Sequence, residues 1–372
     1  MQYSRGLHRF SVGLAAATLV LIVAGAFVTS NDAGLAVPDW PTSFGSFYRM
    51  PPMVAGIKYE HGHRMIAEAI GLVTVVLSFI VMRFAGLRRA AIQMMAMTAL
   101  FIAAVVPVGL AQNTAAHKPL LSPGTALAYT GVFGFGALMT AIILVVRAFL
   151  QKWPIEAKIV VIALPAVMLQ GVLGGITVLT FLPWYVSSLH ATLGQTFFSL
   201  LCLLALVTSQ AWKQTRHLPV PGRKDRVIRM HAYGTIAALY VQLMLGAAFR
   251  HNGISVKWHI LWAAAVTLLI AATGFRVLIE YGKYKGLRVP AVTMVSMLLI
   301  QLALGLAAYM TRVVWNANAP QPVLSMVLST VAHVAGGAIL LATAWLLTAQ
   351  VSHTLAGKSA DVLQFRPHAV SA

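Results

Sequence analysis

The sequence predicts an all-α polytopic membrane protein of about ten transmembrane helices, forming two pseudo-symmetric four-helix bundles plus an extra two-helix hairpin. Three observations predict it. The 372 residues are 59% hydrophobic and only 9% charged, with a mean hydropathy of +0.82, whereas a soluble domain carries roughly 25% charged residues. Ten stretches reach the about 20 apolar residues that a helix needs to span the hydrocarbon core. A pattern of glycine and histidine also recurs four times at matched positions.

In chain order the ten stretches are 8–29, 62–84, 90–111, 124–148, 157–181, 187–212, 227–249, 256–279, 290–314 and 325–350. In lipid each must be helical, because every backbone amide needs a partner inside its own segment. Four outward-going helices carry glycine toward the outer end: Gly25, Gly174 with Gly175, Gly246 and Gly305. After an outer loop, each is followed by a returning helix whose start carries His63, His190, His259 or His333. Gln170, Gln242 and Gln301 stand four residues before Gly174, Gly246 and Gly305, so amide and glycine share a helix face. Helix packing accounts for these residues, since small residues permit close approach and a buried amide can bond across it. The stretches 90–111 and 124–148 have neither the glycine pattern nor a histidine and read as an inserted hairpin. Its two crossings leave the topology after it unchanged. The expected units are therefore 1–88 with 150–212, the hairpin 89–149, a second bundle 213–352 and a tail 353–372. Paired repeats commonly place their site inside or between the halves.

Net charge is +19. Twenty Lys and Arg fall in one set of alternate loops and tails and 7 in the other. The richer side is expected to be cytoplasmic, which puts both termini inside, the four histidines near the outer face, and the chain in a bacterial inner (plasma) membrane. Short basic loops explain the charge, and nucleic acid is excluded as a partner in favour of the lipid bilayer. The single cysteine, Cys202, lies in an apolar run and permits no intrachain disulfide. Met1–Phe10 is short and basic, leads straight into a span and does not resemble a cleaved transit peptide.

Imidazole is the commonest metal ligand among side chains, and a haem iron takes one or two axial ligands. Four histidines at equivalent places of a repeat point to two pairs and two haems. His8, His217, His231, His353 and His368 lie on the basic side; His117 and His251 lie in outer loops, and His251 is the rival to His259. No Cys-x-x-Cys-His site is present, so any haem is held non-covalently. The densest cluster is Glu60-His61-Gly62-His63-Arg64. Glu60 and His63 share a helix face, where a carboxylate orients an imidazole or moves protons; a helix-start carboxylate favoured by the dipole is the plain alternative. Arg64 fits either a haem propionate or the headgroups. The loop 30–61 holds Gly34-Leu35-Ala36-Val37-Pro38-Asp39-Trp40-Pro41, and with Phe44, Phe47 and Tyr48 it forms either a lid or an interfacial aromatic belt.

On these residues the chain resembles the haem A synthase family of cytochrome oxidase biogenesis. The resemblance is carried by Glu60, His63 and Arg64, by Gly34 to Pro41, and by one histidine on each of four alternate helices, over roughly residues 8–88 and 155–352. It implies that the first bundle holds the substrate haem O between His63 and His190. The second bundle would hold a haem b between His259 and His333, these four being the axial ligands. The implied reaction oxidises the C8 methyl of haem O to a formyl group through hydroxylations with water-derived oxygen, with Glu60 catalytic. Haem O synthase and an electron-transfer protein are the implied partners. The chain departs from the family pattern in its hairpin 90–148. Thr42 and Ser43 stand after the loop motif in place of a cysteine pair, and Thr29 to Asp32 lack the arginine before the loop glycine.

Two other function classes fit parts of the pattern. A non-enzymatic di-haem cytochrome passing electrons to or from quinone needs the two pairs and leaves the pigment unaltered. A transporter would carry charged residues nearer mid-membrane, and few are present, Glu68 being the nearest to Glu60's face.

Overall fold

The computed structural model describes residues 1–112, 118–215 and 222–355, excluding the side chains of 222–225. His117, His217, His368 and most of the predicted tail 353–372 lie outside the described residues. Ten helices among them are long and apolar enough to cross a membrane, and each falls on one of the ten predicted stretches. The protein is an all-α, multi-pass membrane protein.

The helices are α1 (Arg5–Ser30), α2 (Ile57–Phe84), α3 (Arg88–Leu110), α4 (Pro123–Leu150), α5 (Ile155–Leu179) and α6 (Trp184–Val207). They are followed by a four-residue α7 (Gln210–Lys213), α8 (Gly222–Arg250), α9 (Val256–Tyr281), α10 (Lys285–Tyr309) and α11 (Leu324–Thr354). A π-helical turn, Met310–Trp315, continues α10. Local chemistry sets several starts. The hydroxyls of Ser4, Ser122 and Ser255 accept the Leu7, Thr125 and Lys257 amides at 3.4, 3.1 and 3.4 Å, and Pro123 follows Ser122 in the first turn of α4.

Where the ends depart from expectation, polar contacts explain the shift. Helix α2 begins five residues before the apolar stretch, so Glu60 and His63 lie in its first two turns. The stretch 187–212 is broken after Val207: the Ser209 hydroxyl accepts the Trp212 amide at 3.1 Å and starts α7. That turn brings Lys213 to the buried Glu156 at the start of α5. Helix α5 stops at Leu179 because Phe181 and Leu182 turn with φ of 59° and 58°.

Helices α1, α2, α5 and α6 pack in a ring, and α8, α9, α10 and α11 form a second. The rings meet where α1 and α6 contact α11 and where α6 contacts α8. Helices α3 and α4 pack chiefly on each other and lean on α2 and α5. The main apolar cores occupy one end of each ring: Leu77, Val81, Leu164 and Leu204 in the first, Ile270, Leu287, Met294 and Leu347 in the second. That is the end rich in Lys and Arg. Outward-facing apolar side chains such as Leu72, Leu268 and Ile279 are exposed, as expected for lipid contact.

In the second ring, a Cβ on Gly274 would lie 2.5 Å from the Val295 side chain, so α9 and α10 touch there without room for more. Gly274→Val is expected to cost ~1–3 kcal/mol through overpacking and to lower the midpoint of thermal unfolding in detergent.

Candidate functional site

At the end opposite the apolar cores, one contact is repeated four times. Gly25 of α1 faces His63 of α2, and Gly174 of α5 faces His190 of α6. Gly246 of α8 faces His259 of α9, and Gly305 of α10 faces His333 of α11. A Cβ on these glycines would lie 3.0, 3.1, 2.7 and 3.1 Å from the respective imidazole Cε1. Each ring therefore comes close to the backbone of the preceding helix with Cε1 foremost, where glycine gives it room, most tightly at Gly246.

The glutamines act on the same histidines. Gln170, Gln242 and Gln301 donate from Nε2 to the backbone carbonyls of His190, His259 and His333 at 2.9, 3.2 and 3.0 Å. Their amide groups also lie 3.3, 3.1 and 3.1 Å from a ring nitrogen of the same histidine. The pattern read from sequence as helix packing is thus packing against the candidate ligands. His259 Nδ1 faces the Gln242 carbonyl at 3.1 Å, and the Gln242 amide nitrogen lies 3.3 Å from its Nε2, so the tautomer with hydrogen on Nδ1 satisfies both contacts. The exception is the first helix, where Leu21 occupies the glutamine's place; the buried Nδ1 atoms of His63 and His190 both lack a hydrogen-bond partner.

The ring centres of His259 and His333 are 6.2 Å apart, with planes at 86°. Two imidazoles on opposite sides of one metal, each at roughly 2 Å from nitrogen to metal, have centres roughly 6 Å apart, so this pair suits axial ligation. His63 and His190 are near enough to interact electrostatically. Among the described residues no three His, Cys, Asp or Glu side chains gather as a metal site. Each pair provides two nitrogens, which matches a metal whose other ligands come from a macrocycle. The donor set and the glycine cradles fit haem.

The first pair has an additional layer. Glu60 is 3% exposed; Oε2 accepts the Val37 amide at 2.8 Å and Oε1 pairs with Arg64 at 2.5 Å. Arg64 also donates to the carbonyls of Val37, Asp39 and Thr42 at 2.8, 2.6 and 3.2 Å. Four of its five N–H groups are thereby committed to Glu60 and the loop. Asp39 folds the loop on itself, accepting the Phe44 and Gly45 amides, both at 2.7 Å, and the Thr42 hydroxyl at 2.5 Å. His61 turns to Ser43 at 3.1 Å, away from His63. Trp40 lies against Gly175, next to the glycine that carries His190. The loop is thus a structured cover seated on α2 and α5.

His251 follows directly after α8, and His259 faces His333 in the second ring. Burial, with Arg250 and His190 nearby, pushes its imidazole down to about 4. Its place beside the first ring follows from Arg250, whose Nη2 donates to the Thr29 carbonyl of α1 at 2.5 Å. No family model matches the chain, and no curated protein matches its sequence.

His251 yields a pH prediction. It is neutral in the folded protein down to about pH 4, while the unfolded chain takes up its proton near 6.5. Below pH 6.5 the unfolded state therefore binds more protons, and stability falls until about pH 4. His251→Gln is expected to flatten that part of the acid limb, read as the unfolding midpoint against pH.

Proposed function

We propose that the chain is a haem-modifying membrane oxidoreductase of the haem A synthase type. The observation that carries the reading is an asymmetry between two similar halves. Both build glycine-backed histidine pairs, but among the described residues only the first has a loop pinned beside it through a buried carboxylate and guanidinium. A resident cofactor needs only ligands, whereas a substrate that must be admitted, oxidised and released needs a cover.

On this reading His63 and His190 hold haem O as substrate, and His259 and His333 hold haem b, which supplies one-electron transfer when bound. Converting the C8 methyl to a formyl group takes one water and releases four protons and four electrons. Glu60, three residues before His63 on α2, stabilises positive charge developing at the substrate edge, more strongly in a low-dielectric site than in water. Arg64 orients Glu60 and ties it to the cover. Trp40 excludes water on the α5 side. The gradient of basic residues favours cytoplasmic termini, with the site near the outer face of a bacterial inner membrane. Haem O synthase and an electron-transfer protein are the partners this chemistry requires.

Expression with a haem O synthase, followed by pigment extraction and mass identification, tests the reading. Haem A or its hydroxylated precursor is expected; haem B alone would favour a di-haem cytochrome that leaves its pigments unaltered. His259→Ala and His333→Ala are each expected to lose the retained low-spin haem. Glu60→Ala is expected to keep it and to make no formyl product, measured in the same extract.

A further inference from the structure

The hairpin α3–α4 carries none of the four histidines and stands outside both rings, yet its outer end touches the cover of the first site. Gln112, two residues past α3, donates from Nε2 to the Trp40 carbonyl at 2.5 Å, and its Oε1 lies 3.4 Å from the Thr42 hydroxyl, whose proton goes to Asp39. Nearly one turn earlier, Gly109 lies under the apolar side of the loop. A Cβ there would be 2.7 Å from the Phe47 ring and 3.1 Å from the Thr42 methyl. On the far side, the Trp40 ring presses on Gly175 of α5. Residues 40–47 are therefore wedged between α3 and α5, while Glu60 and Arg64 hold Val37, Asp39 and Thr42 to α2.

These two sets of ties have different mechanical consequences. The α2 ties fix the loop at one edge and by themselves leave it free to swing about that edge. The Gln112 and Gly109 contacts fix the opposite edge and hold Trp40 down on α5. We propose that the inserted hairpin is a clamp that keeps the first histidine pair covered, with Gln112 as its positioning residue. As a statement about substrate access this rests on the haem reading of that pair; as a statement about the loop it does not.

Two arms separate the claims, both on the full-length chain. In the first, hydrogen exchange read by mass spectrometry compares the wild type with Gln112→Ala, Gln112→Glu and Gly109→Val. Glutamate keeps the size of the side chain but, ionised, has no N–H to donate, and valine acts from the apolar side. Loss of a buried hydrogen bond is expected to speed exchange of peptides within 33–48 about tenfold, with α9 and α11 peptides unchanged. Unchanged loop exchange in all three variants overturns the clamp, as does a rise spread equally over α9 and α11.

In the second arm, His259→Ala and His333→Ala are combined so that only the first pair can take up haem B, and transfer to excess apomyoglobin is timed. Adding Gln112→Ala is expected to speed transfer about tenfold. Equal transfer rates alongside faster loop exchange overturn the access role. A chain that takes up no haem overturns the haem reading, and the exchange arm still decides the clamp.

Discussion

Four times in this protein a helix gives up its side chain at one position, and an imidazole from the next helix lies against the bare backbone. The rest of the site is arranged around that contact. It sets the depth of all four histidines, since each can seat only beside its glycine. It also sets their orientation, because each ring approaches the neighbouring helix with Cε1 foremost and both nitrogens close behind. In the second ring the result is visible as two perpendicular imidazoles with centres 6.2 Å apart. The glutamines reinforce the arrangement in three of the four places by bonding the backbone carbonyls of His190, His259 and His333, which locks each of those helices in register with its partner.

The two halves share this design and differ in what surrounds it. Glu60 and Arg64 form a buried pair whose remaining hydrogen-bonding capacity is directed into the loop after α1. An uncompensated buried charge is costly, so the pair and the loop stabilise one another. Leu21 replaces the glutamine found in the other three positions, and His63 Nδ1 is left without a partner. His63 is thus the one imidazole of the four without a glutamine beside it.

Much of this was legible in the sequence, for identifiable reasons. Spans are legible because lipid forbids unpaired backbone amides, so length and hydropathy leave few options. The histidines are legible because a repeat shows the same residue at the same place four times. Helix ends are less so: α2 extends beyond its apolar stretch because Glu60 and Arg64 find partners in a distant loop, and 187–212 breaks where Ser209 captures an amide. Arg64 reads from sequence as a headgroup or propionate ligand, and its loop carbonyls lie 22 to 27 residues away. Gln112 has no local signature, since its partners Trp40 and Thr42 are 72 and 70 residues earlier. The role of the glycines was half visible: their call for close approach is general, whereas what approaches is not written in spacing.

The division of each ring along its axis bears on how the protein is made. Leucine, valine and methionine side chains close the core at the Lys- and Arg-rich end, and the histidines, glutamines and glycines occupy the other. Helix association therefore has its apolar anchor well away from the four histidines. Bundling can therefore be complete without any contribution from the histidine end. A change at that end then requires no disassembly of the scaffold, since the apolar anchor and the histidines lie at opposite ends of the same helices.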